Sequence, residues 1–151
     1  MPGFTLSGYT PAPVEEVWKL LFDPTRFPEW WSGVETVHTE GPDRYVMWPD
    51  GYPDFPMPQS LRTERAASRV TVSCQVSDID VVWQLAEAGN GTRIQVRVDL
   101  PDAEAHRLAS QRRIIAASLD NLTALAPTSC PPPRRSISSI SSQRSESSRS
   151  C

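Results

Sequence analysis

The sequence predicts one α+β domain in which a curved antiparallel sheet closes over a long C-terminal helix. Three observations predict it. Between residues 57 and 100 apolar and polar residues alternate in short runs, the next segment is apolar at helical spacing, and the composition changes abruptly near residue 127. A chain of 151 residues allows one domain. We place that domain at residues 1–126 and expect residues 127–151 to form a disordered tail rich in Ser, Arg and Pro.

One strand and two helices are predicted in the N-terminal part of the domain. Residues 4–9 alternate as a half-buried strand does, and residues 14–22 carry one apolar face with two glutamates in the first turn. Asp23 is a good N-cap for a second short helix at 25–30, with Pro24 at its first position. Trp18 and Trp30 are assigned to packing.

Six strands and one helix follow. The strands are predicted at 34–40, 45–48, 57–65, 70–76, 79–85 and 94–100, and Gly89-Asn90-Gly91 is a hairpin turn. Consecutive antiparallel strands twist and curl, with one face apolar and the other in water. The last helix is expected to begin at Pro101-Asp102, to cover the concave face and to end at Pro127.

Charge and cysteine content exclude several classes of protein. The tail holds four Arg and one Glu, so the net charge of −3 for the whole chain leaves −6 on residues 1–126, and we expect no nucleic-acid binding by the domain. Cys74, Cys130 and Cys151 show no CxxC spacing, which indicates a reducing compartment. With no leader and no long apolar run, the predicted location is the cytoplasm, without membrane insertion. The tail is either native or the product of a shifted reading frame.

Two segments carry a resemblance to a known family. Residues 12–18 read Ala-Pro-Val-Glu-Glu-Val-Trp, residues 23–31 read Asp-Pro-Thr-Arg-Phe-Pro-Glu-Trp-Trp, and residues 119–122 read Leu-Asp-Asn-Leu. With the β-α-α-β6-α order, they resemble the START-like (SRPBCC) superfamily along residues 4–126. The resemblance implies a helix-grip fold, in which seven strands grip the last helix around a cavity. It also implies the polyketide cyclase/dehydrase and lipid-transport branch, which has no shared catalytic signature.

Arg112 interrupts the apolar stripe of the last helix. It falls between Leu108 and Ile115, on the side that should face the sheet, and all three are candidate ligand-binding residues. Two alternatives stay open. Either its stem covers apolar surface and its guanidinium reaches solvent, or the guanidinium points into the cavity and binds an acidic ligand. Arg113 is its neighbour, so a small rotation of the helix exchanges the two.

The other candidate ligand-binding residues are apolar or aromatic and lie on strands or at the expected mouth of the cavity. The inward strand positions are Tyr45, Met47, Leu61, Trp83, Leu85 and Val96, and the mouth positions are Trp31, Phe55 and Met57. Such positions are also those of an ordinary core, so this alternative stays open. Asp50, Tyr52 and Asp54 are either gating groups or an ordinary solvated turn.

The sequence shows no catalytic, metal or cofactor motif, and we expect none of these sites. His38 and His106 are far apart in the chain. Cys74 acting as a nucleophile with His38 is the less favoured alternative to a packed core cysteine. Arg62 and Tyr45 are the remaining polar candidates on the inward stripes.

Three functions are compatible with these patterns. The favoured one is the binding or transport of a small hydrophobic or aromatic molecule, lipid-like or polyketide-like, in an internal cavity. The second is a polyketide cyclase, aromatase or dehydratase, and the third is a toxin-like or protein-interaction module. Either a monomer or a homodimer fits the sequence.

Overall fold

The computed structural model describes residues 2–128, and Cys130, Cys151 and almost all of the predicted tail lie outside the described residues. The described part contains seven strands and two α-helices. Their bounds are β1 Gly3–Thr10, α1 Val14–Leu21, β2 Val34–Thr39, β3 Arg44–Pro49, β4 Met57–Glu64, β5 Arg69–Cys74, β6 Asp80–Ala88, β7 Gly91–Asp99 and α2 Leu108–Thr128. Short 3₁₀ helices occupy Pro24–Glu29, Arg65–Ala67 and Asp102–Arg107.

All seven strands form one antiparallel sheet in the order β1-β7-β6-β5-β4-β3-β2. The sheet and the long C-terminal helix confirm the predicted helix-grip fold. Chain order and sheet order agree except at β1, which pairs with β7 and so brings the N-terminus beside the last strand. One detail of the strands was wrong: β5 ends at Cys74, and Val76 lies beyond it with 54% of its surface exposed.

Both N-terminal helical segments form as predicted, and the second has its cap in the sequence, whereas α1 begins after Pro13 without a side-chain cap. The Asp23 carboxylate accepts a hydrogen bond from the Thr25 N–H at 3.0 Å, and Pro24 opens the short 3₁₀ helix, where its missing N–H has no intrahelical partner to lose. Trp18 of α1 is buried, and the Arg65 guanidinium lies 5.1 Å from the centre of its ring. This stacking closes the outer side of α1 against the turn between β4 and β5.

Both ends of α2 differ from the expectation. The helix begins at Leu108, because residues 102–107 form a 3₁₀ helix first. At the other end Pro127 lies inside the last turn and does not stop it. A proline at this position removes the N–H that would bond to the carbonyl of Thr123. That carbonyl instead accepts a hydrogen bond from the Thr10 hydroxyl of β1 at 2.9 Å.

The C-terminal half of α2 is held on two sides, by β1 and by the turn that precedes β2. On one side Gly8 lets β1 approach closely, since a Cβ atom there would lie 3.3 Å from Cγ of Leu119. On the other side the Ser32 N–H donates to the Ser118 hydroxyl at 2.8 Å. In the part of the chain that the structure describes, no helix is long and apolar enough to cross a membrane.

Candidate functional site

The candidate site lies where α2 crosses the concave face of the sheet. Along β6 and β7 every second residue is buried, which turns the apolar set inward. Trp83 lies in the middle of this face, directly between Val70 of β5 and Val96 of β7. All three side chains are fully buried. The site therefore begins from a dry, apolar floor.

Five aromatic rings fill the space above this floor, and we call them the aromatic cluster: Phe27, Trp30, Trp31, Tyr45 and Trp83. Trp30 and Trp31 meet Trp83 edge to face, with ring centres 5.1 Å and 5.5 Å away. Trp30 and Trp31 stack on each other at 5.3 Å. Phe27 joins them to Tyr45 at 5.5 Å. These offset and edge-to-face arrangements are the favourable ones for aromatic pairs.

A hydrogen bond fixes the Trp30 indole within this cluster, whereas the Trp31 indole has none among the described contacts and only its backbone is hydrogen-bonded. The indole N–H of Trp30 donates to the Leu20 carbonyl at 3.0 Å, and the Trp30 carbonyl accepts from the Asn121 side chain at 3.1 Å. Trp31 is only half-buried. We therefore expect the Trp31 indole to move more easily than the Trp30 indole, because among the described contacts only ring packing holds it in place.

A polar row crosses the concave face beside the cluster. Tyr45, Gln59 and Cys74 are direct partners on β3, β4 and β5, so their side chains point to the same side of the sheet. Burial raises the pKa of the Tyr45 hydroxyl, and the nearby Cys74 adds to the rise. Tyr45 is thus a neutral hydroxyl throughout the physiological range, able to donate a hydrogen bond but not to act as a base.

A surface groove of about 340 Å³ adjoins the aromatic cluster. It is formed by residues 28–35 together with Asp50 and Asn121, so Trp30 and Trp31 belong both to the cluster and to the groove wall. The volume is within the range of small-molecule sites, roughly 300–1,000 Å³. Glu35 and Asp50 give its rim a negative charge.

The candidate residues from the sequence fall into three groups in the structure. Tyr45, Leu61, Trp83, Leu85, Val96 and Ile115 are buried in the core, as the alternative assignment to ordinary packing requires. Trp31, Met47, Met57 and Leu108 are half-buried, and all but Met57 pack against that core. Phe55 is 53% exposed in the loop between β3 and β4, where Asp50, Tyr52 and Asp54 are exposed too.

Arg112 does not point into the interior. It is exposed, and its guanidinium lies 5.5 Å from the centre of the Phe4 ring on β1. The inward residues of α2 are Ile115, Ser118, Leu119, Leu122 and Ala126, so the helix is rotated slightly from the orientation that would bury an arginine. Of the two alternatives for Arg112, the structure has the one in which the guanidinium reaches solvent. Arg113 is exposed as well.

The other polar candidates are also outside the concave face. Arg62 is exposed and alternates with buried Leu61, which places it on the convex face. His38 is exposed and pairs with Val46, one residue out of phase with Tyr45, so it does not meet Cys74. Within the described residues no group of three or more His, Cys, Asp or Glu side chains could hold a metal ion.

Several residues of the site were missed in the sequence or assigned only to packing. Ser118 is fully buried, and its hydroxyl donates to the Ile114 carbonyl at 2.7 Å while accepting from Ser32. Its signal was present, since it lies three residues after Ile115 on the apolar stripe. Gln59 is buried, whereas the strand pattern alone did not distinguish it from a surface residue.

The chain belongs to the polyketide cyclase/dehydrase and lipid transport family, whose model matches residues 1–127. Among curated proteins none matches it. Many solved structures share its fold, including the following three. XoxI from Bacillus cereus is 19% identical over 84% of this chain and 96% of that one, with a TM-score of 0.68. Zhui aromatase/cyclase from a Streptomyces species is 14% identical over 83% and 93%, with a TM-score of 0.66. The di-domain ARO/CYC BexL is 16% identical over 82% of this chain and 46% of its own, with a TM-score of 0.68.

Proposed function

We propose that this domain binds a small hydrophobic molecule between α2 and the concave face of the sheet, and carries it in a reducing, cytoplasmic setting. The observation that carries the proposal is the aromatic cluster, which offers flat apolar surfaces beside a groove of ligand size. The family supports it, because it includes lipid transport as well as cyclisation.

The half-buried residues around the cluster supply the adaptable part of the site. Met47 and Met57 are direct partners on β3 and β4, and Val37 of β2 is the next residue in the same row. Methionine side chains have several rotatable bonds and repack around ligands of different shape. A rigid aromatic cluster beside flexible methionine side chains favours a flat molecule with an aliphatic edge.

A matched pair of charge insertions tests the location. Met47→Glu places a carboxylate on the concave face, whereas Val46→Glu places one on the convex face of the same strand. We expect 2-acetylnaphthalene to bind wild type with one site, to bind Val46→Glu equally well, and to bind Met47→Glu at least about ten times more weakly because burying an unpaired charge is costly. Equal weakening in both variants, or none in either, would contradict the proposed site.

Native mass spectrometry of the protein purified from its host tests the carrier role. A copurified small molecule with a stoichiometry of one per chain is expected, and Met47→Glu should reduce its occupancy. A wild-type protein that is free of ligand and binds neither 2-acetylnaphthalene nor palmitate would refute the proposal.

Cyclisation or dehydration of a polyketide-like substrate is the second candidate. The polar row favours it, because a neutral Tyr45 hydroxyl beside Gln59 can hold a substrate carbonyl and donate to it. Incubation with a poly-β-ketone thioester mimic and mass analysis would show loss of water if this activity is present. Tyr45→Phe should then abolish the loss, and persistence of the product in that variant would exclude the tyrosine.

A further inference from the structure

Trp83 carries a buried donor that nothing in the described protein satisfies. Its side chain is 0% exposed, and its indole nitrogen has no hydrogen-bond partner within the described residues. A conformation that leaves such a donor unpaired is disfavoured by a factor of about 5 to 150 relative to one in which the donor is hydrogen-bonded. Buried polar groups without partners are rare, and each one requires an explanation.

Other buried polar side chains of the domain satisfy their donors. Trp30, 5.1 Å from Trp83, donates its N–H to the Leu20 carbonyl. The buried hydroxyls of Thr92 and Ser118 also donate to backbone carbonyls. The unpaired group is therefore specific to the residue at the centre of the concave face.

Trp31 contacts both the Trp83 ring and the surface groove. Its ring contacts Trp83 on the inside, and the same residue forms part of the groove wall on the outside. Trp30 shares both positions but is fixed by the two hydrogen bonds described above. Trp31 is therefore the half-buried ring that contacts both Trp83 and the groove and has no side-chain hydrogen bond among the described contacts.

We propose that the Trp83 N–H is the polar anchor for the occupant of this site. The occupant is a flat molecule with a neutral hydrogen-bond-accepting oxygen, such as a ketone, which displaces the Trp31 ring and accepts from Trp83. A neutral acceptor fits better than a carboxylate, because Glu35 and Asp50 line the groove and Arg112 lies outside the interior. This inference rests on the proposed function and specifies its ligand chemistry.

A competing partner for the N–H is the face of an indole ring. The edge-to-face angles of 89° and 76° between Trp83 and its two tryptophan neighbours are compatible with a weak N–H···π contact. In that case the donor is satisfied without a ligand, and an acceptor oxygen on the ligand brings no advantage. The two possibilities therefore predict different relative affinities for a ligand with an acceptor oxygen and a ligand without one.

Two probes of nearly identical shape measure this preference. 2-Acetylnaphthalene and 2-ethylnaphthalene differ in having a carbonyl or a methylene at one position. We expect wild type to bind the ketone about 5- to 20-fold more tightly, in the lower part of the range above, because the ketone gives up its hydrogen bonds to water when it binds. The Trp83 indole N–H resonance should shift on addition of the ketone and much less with the hydrocarbon.

An isosteric substitution provides the matched control. Replacing Trp83 by 3-benzothienylalanine exchanges the N–H for sulfur and keeps the ring shape, and the preference for the ketone should disappear while hydrocarbon affinity is kept. The same substitution at Trp18, on α1 outside the aromatic cluster, should leave the preference as in wild type.

The outcomes distinguish this inference from the proposed function. Equal affinities for the two probes in wild type, or a ketone preference that survives the substitution at Trp83, would overturn the anchor and leave hydrophobic binding intact. If neither probe nor palmitate binds, both the inference and the proposed function are wrong. Preference in wild type that is lost only with Trp83 supports the anchor.

Discussion

Alkaline pH should destabilise this domain through Tyr45, and Tyr45→Phe should remove that effect. The hydroxyl is buried among the aromatic cluster and beside Cys74, which raises its pKa in the folded state above the ordinary value of 10.0. The neutral hydroxyl is favoured in the fold, so its contribution to stability is complete below about pH 10. Above that pH the unfolded chain releases the proton and the folded chain keeps it, so stability falls.

The expected loss of stability follows from the linkage between proton binding and folding. When one proton separates the two states, the free energy of unfolding falls by about 1.4 kcal/mol per pH unit. Between about pH 10 and pH 11.5 the loss approaches about 2 kcal/mol, a large share of the roughly 5–15 kcal/mol that stabilises an ordinary domain. Tyr45→Phe keeps the ring contact with Phe27 and removes the ionisable group.

Urea unfolding followed by far-UV circular dichroism, repeated from about pH 8 to pH 11.5, measures the slope for each variant. The difference between wild type and Tyr45→Phe isolates one hydroxyl, since all other titrating groups are common to both. Tyr52→Phe is the matched control, because that ring is 63% exposed. Parallel pH profiles for wild type and Tyr45→Phe would refute the assignment of this hydroxyl to the buried interior.

Three further substitutions have defined outcomes. Ser118→Ala leaves the Ser32 N–H without its acceptor and should lower the free energy of unfolding by about 1–3 kcal/mol in urea titrations, and a change below about 0.3 kcal/mol would contradict the contact. Arg112→Ala removes a guanidinium that stacks on Phe4 and should cost about 0.5–1 kcal/mol while leaving 2-acetylnaphthalene affinity unchanged; a large loss of affinity would return Arg112 to the site. Gly91→Ala places a Cβ against the Thr10 carbonyl oxygen of β1, so the strand must shift and the thermal midpoint should fall by several degrees, whereas an unchanged midpoint would show that the strands are not so close.

Local patterns in the sequence were sufficient to predict the architecture. Alternation along residues 70–74, 81–85 and 94–98 indicates strands with one solvent-exposed face and one buried face. These strands pair antiparallel in chain order, as expected of a meander. Asp23 and Pro24 locate the short 3₁₀ helix because a cap acts over two or three residues. These features depend on near neighbours in the chain, and the sequence contains all of them.

The interior of the site depended on distant contacts and was predicted less well. Whether Arg112 faces inward is decided by a small rotation of α2, which the positions of Gly8 and Ser32 set from other elements. The apolar stripe could not resolve that rotation, because residues at spacings of three and four lie on both sides of it. The unpaired N–H of Trp83 has no signature in sequence, because it arises only when none of the described residues around it supplies a hydrogen-bond acceptor.

Pro127 and Thr10 together change how the end of the domain can open. An ordinary helix end loses its last turn independently of the rest of the protein, so its amides exchange quickly with solvent. Here a carbonyl in the last turns of α2 bonds to the hydroxyl of a buried residue on β1, so unwinding this end also breaks a link between the helix and the sheet. Amide protection in the last turns of α2 should therefore follow that of the end of β1, making helix and edge strand one unit of local unfolding.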